Sequence, residues 1–185
     1  QVVAGPDEPV EYRAMDPRLQ TWVAACLYYG TRDVLARLHG PMDEARADAL
    51  YAHCARFGTT LQMPAEAWPE TREAFDSYWE ESLAEVSIDP PVADYLMRLT
   101  TLQNLPRLAR GAASFNVFVT TGFLPPLFRE QLGVAWSPAE QLRFDRLMRR
   151  LGRVERACPA WVRTLPFTLL LADLRRRIRR GKPLV

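Results

Sequence analysis

Apolar residues recur at helical spacing along most of the chain, and prolines separate the stretches in which they do so. The first stretch opens at Asp16-Pro17, an N-cap acid followed by proline at the first helical position. Its apolar residues continue at intervals of three and four to Leu38, with Gly30 predicting a kink and Gly40-Pro41 the end. Further helices are predicted at about 43–57, 69–86, 89–99, 112–122, 126–133 and 138–157.

The two ends of the chain differ from this middle. Prolines at 6 and 9 predict an extended leader over residues 1–15, and Pro159 and Pro166 predict two final helical segments. No stretch alternates as a strand does, Thr59–Met63 being the nearest candidate. The prediction is an all-α, orthogonal bundle of about seven to nine helices, forming a single domain over residues 1–185.

Charged residues are distributed unevenly along the chain, although its formal net charge is only +2. Residues 1–142 carry 11 arginines and 19 acidic residues, whereas residues 143–185 carry 12 arginines, one lysine and three acidic residues. The basic tail at 175–185 could meet nucleic acid or an anionic membrane surface, or be a solvated helix end. We favour the solvated end, with Leu171, Leu174 and Ile178 facing inward. Because no aromatic residue interleaves the arginines of 175–180, we expect no nucleic-acid partner.

The residue types that usually carry chemistry are sparse. No G-x-G occurs, which excludes the usual dinucleotide and phosphate-loop fingerprints. The cysteines at 26, 54 and 158 lack metal-site spacing and suit a reducing, cytoplasmic location. His39 and His53 are too few for an all-histidine site; His53 is placed on an inner helix face, as a core residue rather than a ligand. We therefore predict no metal site. Residues 111–128 are uncharged, but Pro125-Pro126 favours a buried helix over a membrane span.

One motif near the start is specific. Residues 12–23, YRAMDPRLQTWV, resemble the pattern Y-x-A-x-D-P-x-L-x-x-W-V of the rubber oxygenase (latex clearing protein) and MpaB-type haem oxygenase family. The resemblance continues in order through 40–42 (GPM), 63–64 (MP), 68–69 (WP), 124–126 (LPP) and 133–138 (GVAWSP).

The resemblance implies an all-helical, somewhat globin-like fold and a haem b held by one axial histidine. That histidine belongs to an H-x-x-V-x-G motif, of which Val3 and Gly5 match the last two positions. The histidine itself would fall one position before Gln1, and Ala24 stands where the family often has another histidine. We therefore interpret the chain as the C-terminal portion of such a domain, with the preceding half as its intramolecular partner. No axial ligand is assigned within it.

The activity implied is attack of dioxygen on an apolar or prenyl-like substrate, with haem b as cofactor. Asn116 and Thr120 share a helix face and are predicted polar contacts to the cofactor. The other candidates for the pocket wall are Trp22, Phe115, Phe118 and Val119. For each of them, ordinary core packing is the alternative. The alternative function is a non-catalytic helical domain that binds a lipid or a partner protein through an apolar groove.

Overall fold

The computed structural model describes residues 16–60, 62–103 and 109–181, so the predicted leader at 1–15 lies outside the described residues. All regular structure within these ranges is helical, which confirms the all-α prediction. The α-helices are α1 Pro17–His39, α2 Glu44–Thr60, α3 Arg72–Glu85, α4 Pro90–Thr100, α5 Ala113–Phe123, α6 Pro126–Gln131, α7 Pro138–Ala157 and α8 Ala160–Arg179. Short 3-10 helices occur at Ala65–Ala67 and Ala109–Ala112.

Side-chain caps fix several of the helix starts. Asp16 accepts a hydrogen bond from the Arg18 backbone N–H at 2.8 Å, directly before the proline that opens α1. Ser137 and Glu140 form a reciprocal capping box at the start of α7: each side chain accepts a backbone N–H of the other residue. These caps satisfy N–H groups that have no partner within the helix.

Two glycines behave differently from what the sequence predicts. Gly30 does not interrupt α1, which runs unbroken from Pro17 to His39. The second helix does not end at residue 57 as predicted, because α2 continues through Gly58 to Thr60. Gly58 is buried, and a Cβ there would collide with the Met63 side chain. Its missing side chain therefore allows the loop after α2 to fold back onto the helix.

Helices α1, α2 and α3 enclose an aromatic core. Tyr28 of α1 lies at its centre and contacts Phe75 of α3 edge-to-face, with 4.6 Å between ring centroids. The Tyr51 hydroxyl of α2 donates to the Pro69 carbonyl oxygen at 2.6 Å, which ties α2 to the segment before α3. The buried members of this core are Ala24, Ala25, Tyr28, Tyr51, Cys54, Met63, Trp68, Phe75 and Trp79.

A second aromatic cluster surrounds the fully buried Phe144 of α7. Phe123 of α5 meets it edge-to-face at 5.0 Å, and Phe118 and Trp136 pack beside it. The guanidinium of Arg37, from the C-terminal half of α1, lies 5.2 Å from the Phe144 ring centroid. Helix α1 therefore spans both clusters.

Helix α8 departs from the sequence prediction in two ways. It is a single helix that continues through Pro166, where two segments were expected. Proline leaves the Val162 carbonyl without its usual donor, and water can replace that donor on an exposed helix. The inward placement of Leu171, Leu174 and Ile178 is wrong, since all three are exposed. None of the residues described in α8 is buried.

Candidate functional site

A cleft lies between the beginning of α1 and the end of α3. Its volume is about 830 Å³, within the range of small-molecule sites. The α1 side contributes Asp16, Pro17, Arg18, Leu19, Thr21 and Trp22, and the α3 side contributes Tyr78, Ser82, Glu85, Val86 and Ser87, with Ala67 between them. Apolar surface predominates in this lining.

Ring stacking fixes the aromatic wall of the cleft. Trp22 stacks on Trp79 of α3 with centroids 5.1 Å apart and an interplanar angle of 18°. Tyr29, two helical turns further along α1, also stacks with Trp79, at 4.2 Å and 11°. Since Trp79 is itself buried, the stack holds the Trp22 ring in one orientation at the cleft wall.

The charged residues in the lining are Asp16, Arg18 and Glu85, and its other polar residues are neutral. The Thr21 hydroxyl donates to the Pro17 carbonyl oxygen at 2.8 Å and is therefore already satisfied. Burial raises the pKa of the Tyr78 phenol, so this hydroxyl is neutral at pH 7. Arg18 and Glu85 approach within 3.9 Å of each other, both highly exposed. The interior thus suits an uncharged, apolar ligand.

The cleft contains one of the predicted site residues, Trp22. The others lie on α5. Phe115 is 59% exposed, and Phe118 packs in the Phe144 cluster. The Asn116 side-chain amide donates to the Thr100 carbonyl oxygen at 2.7 Å and so joins α5 to α4.

Val119 and Thr120 are half-buried on the same helix. The uncharged helix α5 is therefore less deeply buried than its sequence indicates, with Thr121 and Gly122 as its buried residues. The cofactor-binding role of the α5 residues stays a prediction.

The contribution of α3 to the cleft does not follow from the sequence. Tyr78, Ser82 and Val86 recur every four residues and belong to an apolar stripe on that helix. Such a stripe indicates only that a helix face meets other protein. It does not indicate that its C-terminal half would border a cleft beside Trp22.

The histidines do not face this cleft. His53 is exposed, contrary to the inward placement, because Tyr51, Cys54 and Gly58 occupy the core face of α2. His39, at the end of α1, has its Nε2 atom 3.6 Å from a Glu155 carboxylate oxygen. Neither side chain is placed as an axial ligand.

The described residues also lack a cluster of metal ligands. Within the described ranges, no group of three or more His, Cys, Asp or Glu residues could hold a metal ion. Burial raises the pKa of the Cys54 thiol, so it is protonated at neutral pH and a poor ligand. By themselves these residues do not fit a complete haem site, and we derive no step through haem.

Comparison with known proteins places the helical fold in a family. Residues 1–153 match the family described as "ER-bound oxygenase mpaB/B'/Rubber oxygenase, catalytic domain". The chain belongs to this family, which confirms the resemblance carried by residues 12–23 and the later motifs.

Two curated relatives extend the match over the whole chain. These are the uncharacterised proteins Mb2261 of Mycobacterium bovis and Rv2237 of Mycobacterium tuberculosis, each 44% identical over 188 residues. Each alignment covers all of this chain and 73% of the relative. No solved structure matches the chain. Helix α8 lies beyond the segment that matches the family.

Proposed function

We propose that the protein is a haem-b-dependent oxygenase that uses dioxygen on an apolar or prenyl-like substrate. We further propose that the cleft between α1 and α3 forms one wall of its substrate site. Membership of an oxygenase catalytic-domain family supports the reaction class. The observation that carries the substrate class is the cleft itself, which has a volume of about 830 Å³ and a mostly apolar lining.

The described residues would bind and orient such a substrate. Leu19, Trp22 and Val86 offer apolar contact surface, and the stack on Trp79 keeps the indole from turning away. The neutral Tyr78 phenol places no charge beside the substrate. Apolar contact displaces water from the cleft, and this is the main source of affinity for a hydrocarbon chain.

Haem would supply oxygen activation when bound. Since neither histidine of the described residues is placed as an axial ligand, we propose that the ligand comes from outside them. A preceding part of the protein would then be the intramolecular partner of this chain. Each of the two relatives is longer than the segment aligned with this chain, which is compatible with such a part.

A charge in the cleft tests the substrate class. Leu19→Glu places a carboxylate in the cleft, whereas Val23→Glu places one on an exposed site of α1 outside its lining. Titration with farnesol, followed by tryptophan fluorescence, should show at least about a tenfold higher Kd for Leu19→Glu. Val23→Glu should bind as the parent does. If the two variants bind farnesol with equal Kd, the cleft is not the substrate site.

Haem binding is tested separately by absorbance. The protein made from its complete reading frame should give a Soret band with a histidine-ligated signature after hemin is added. The 185-residue chain should give no such signature. A histidine signature in the short chain that His53→Ala abolishes would show that the ligand is misassigned.

The same two measurements distinguish the alternative function. A complete protein that binds farnesol but gives no Soret band would be a non-catalytic domain that holds an apolar ligand in its groove.

A further inference from the structure

Helix α8 presents a large apolar surface to solvent. Eight large apolar side chains of this helix are between 40% and 69% exposed: Trp161, Leu165, Phe167, Leu169, Leu170, Leu171, Leu174 and Ile178. Contiguous exposed apolar surface on a folded protein marks a site of interaction with another protein or a membrane.

The apolar residues of α8 surround the helix axis rather than lining one face. Residues 164–172, TLPFTLLLA, contain no charged side chain, and at 100° per residue their apolar members cover every side. A groove on a protein covers one face of a helix. A helix that is apolar all round is matched by an apolar medium.

The two ends of α8 have the residues that anchor helices at a lipid surface. Trp161, near the beginning, is exposed, and indole rings favour the headgroup region of membranes. At the other end, Arg175, Arg176, Arg177, Arg179 and Arg180 are all exposed. The one acid close to them, Asp173, pairs with Arg177 at 2.8 Å. The end of α8 is therefore strongly cationic.

We propose that α8 binds the surface of a membrane that contains anionic lipid. The apolar segment 164–172 enters the outer acyl region, and the arginine cluster contacts lipid phosphates. In the described part of the chain, no helix is long and apolar enough to cross a membrane.

Among the described residues, α8 contacts the body near its beginning. The match to the catalytic-domain family ends at residue 153, and α8 begins at residue 160. An ion pair between Arg163 and Glu155, 2.6 Å apart, joins the first turns of α8 to α7. The helix is thus attached to the body at its beginning, while its apolar middle and cationic end are exposed.

Vesicle sedimentation of the full chain tests the proposal. We expect binding to vesicles of phosphatidylcholine with 30% phosphatidylglycerol, roughly tenfold or more tighter than to pure phosphatidylcholine, and weaker in 0.5 M NaCl. The double variant Arg175→Gln/Arg176→Gln should lose that preference. Arg149→Gln/Arg150→Gln, with the same charge change on exposed sites of α7, should keep it.

The apolar contribution is tested with a second pair of variants. Leu170→Glu should reduce binding to both kinds of vesicle. Leu142→Glu, at a similarly exposed site of α7, should not.

Three results would overturn the proposal. The first is that the parent and the Arg175→Gln/Arg176→Gln variant do not differ in their binding to anionic vesicles, whether both bind equally or neither binds. Another is a concentration-dependent dimer that Leu170→Glu abolishes, since α8 would then pack on a second copy. The third is resistance of α8 to trypsin in the complete protein without lipid, since the protein itself would then cover the helix.

Discussion

Gly30 and Gly152 both lie inside long helices, but only one of them is required by the packing, and the sequence does not show which. Gly30 in α1 has open space where a side chain would be. Gly152 in α7 is buried against the end of α1, and a Cβ there would collide with the Leu38 carbonyl oxygen. The close approach of α7 to α1 therefore depends on a missing side chain.

Alanine at these two positions should move stability in opposite directions. Gly152→Ala should lower the free energy of unfolding by about 1–3 kcal/mol, because a rigid backbone atom must move. Gly30→Ala should raise it by about 0.5–1 kcal/mol, because glycine is a poor helix former. Urea unfolding measures both. A neutral Gly152→Ala would mean that α1 and α7 lie further apart than described.

Asn116 offers a second test at a single residue. Its amide joins α5 to the Thr100 carbonyl oxygen of α4, so Asn116→Leu should lower the free energy of unfolding by about 1 kcal/mol. Phe115→Leu, on an exposed neighbour, should change it little. Unchanged stability together with an altered haem spectrum in the complete protein would support the cofactor role instead.

At the scale of helices, local signals determine most boundaries. The Ser137 cap with Pro138 predicts the start of α7, and Pro90 predicts the start of α4, where the Asp89 side chain makes no capping hydrogen bond. These signals depend on neighbours in sequence alone. The sequence therefore reveals them without knowledge of tertiary packing.

The cap of α7 should contribute measurably to stability. Ser137→Ala removes the acceptor for the Glu140 N–H and should lower the free energy of unfolding by about 1 kcal/mol. Thermal or urea unfolding at pH 7 checks this value, with Ser114→Ala, on an exposed site of α5, as the control. A change no larger than that of Ser114→Ala would contradict the role of the cap.

The second hydrogen bond of the capping box, from the Ser137 backbone N–H to the Glu140 carboxylate, should make the stability of the protein depend on pH. Hydrogen bonds from the Ser137 backbone and side chain lower the pKa of Glu140. Because this pKa is lowered, ionised Glu140 stabilises the folded state above the ordinary glutamate pKa of about 4.3. This stabilisation is lost as the pH falls through the pKa of Glu140 in the folded protein. The destabilisation caused by Glu140→Gln should therefore shrink between pH 6 and pH 3. A constant difference would contradict this assignment.

The candidate cleft is harder to predict than the helices that form it. The family motif makes Trp22 a candidate, and the apolar stripe of α3 is visible in the sequence. The sequence does not indicate, however, that the two lie side by side. A periodic stripe shows that a helix face is apolar, but it does not show which other element packs against that face. Likewise, Cys54 and His53 are adjacent on α2, and only packing decides that Cys54 is buried and His53 exposed.

At the scale of the whole molecule, the described chain has two aromatic clusters joined by α1, with α8 outside both. The all-α class followed from helical periodicity and proline spacing. The exposure of α8 did not follow, because an apolar helix segment in a sequence ordinarily indicates burial. The expectation failed because no described helix packs over its apolar middle.

Removal of α8 should therefore leave the body intact. A chain that ends at Cys158 should unfold within about 1 kcal/mol of the parent, because no described residue of α8 is buried. Phe75→Ala, at the fully buried centre of the first cluster, should cost about 3–5 kcal/mol. Urea unfolding followed by circular dichroism compares them. A large loss on truncation would show that α8 packs on the body in solution.

The stack of Trp22, Trp79 and Tyr29 has an optical consequence. Aromatic rings held nearly parallel about 4–5 Å apart couple their electronic transitions, which gives circular dichroism signals in the near ultraviolet. One face of this coupled group is the wall of the cleft, because Trp22 belongs to both. Occupancy of the cleft would thus change the chromophore directly, and the protein carries its own label-free reporter of binding.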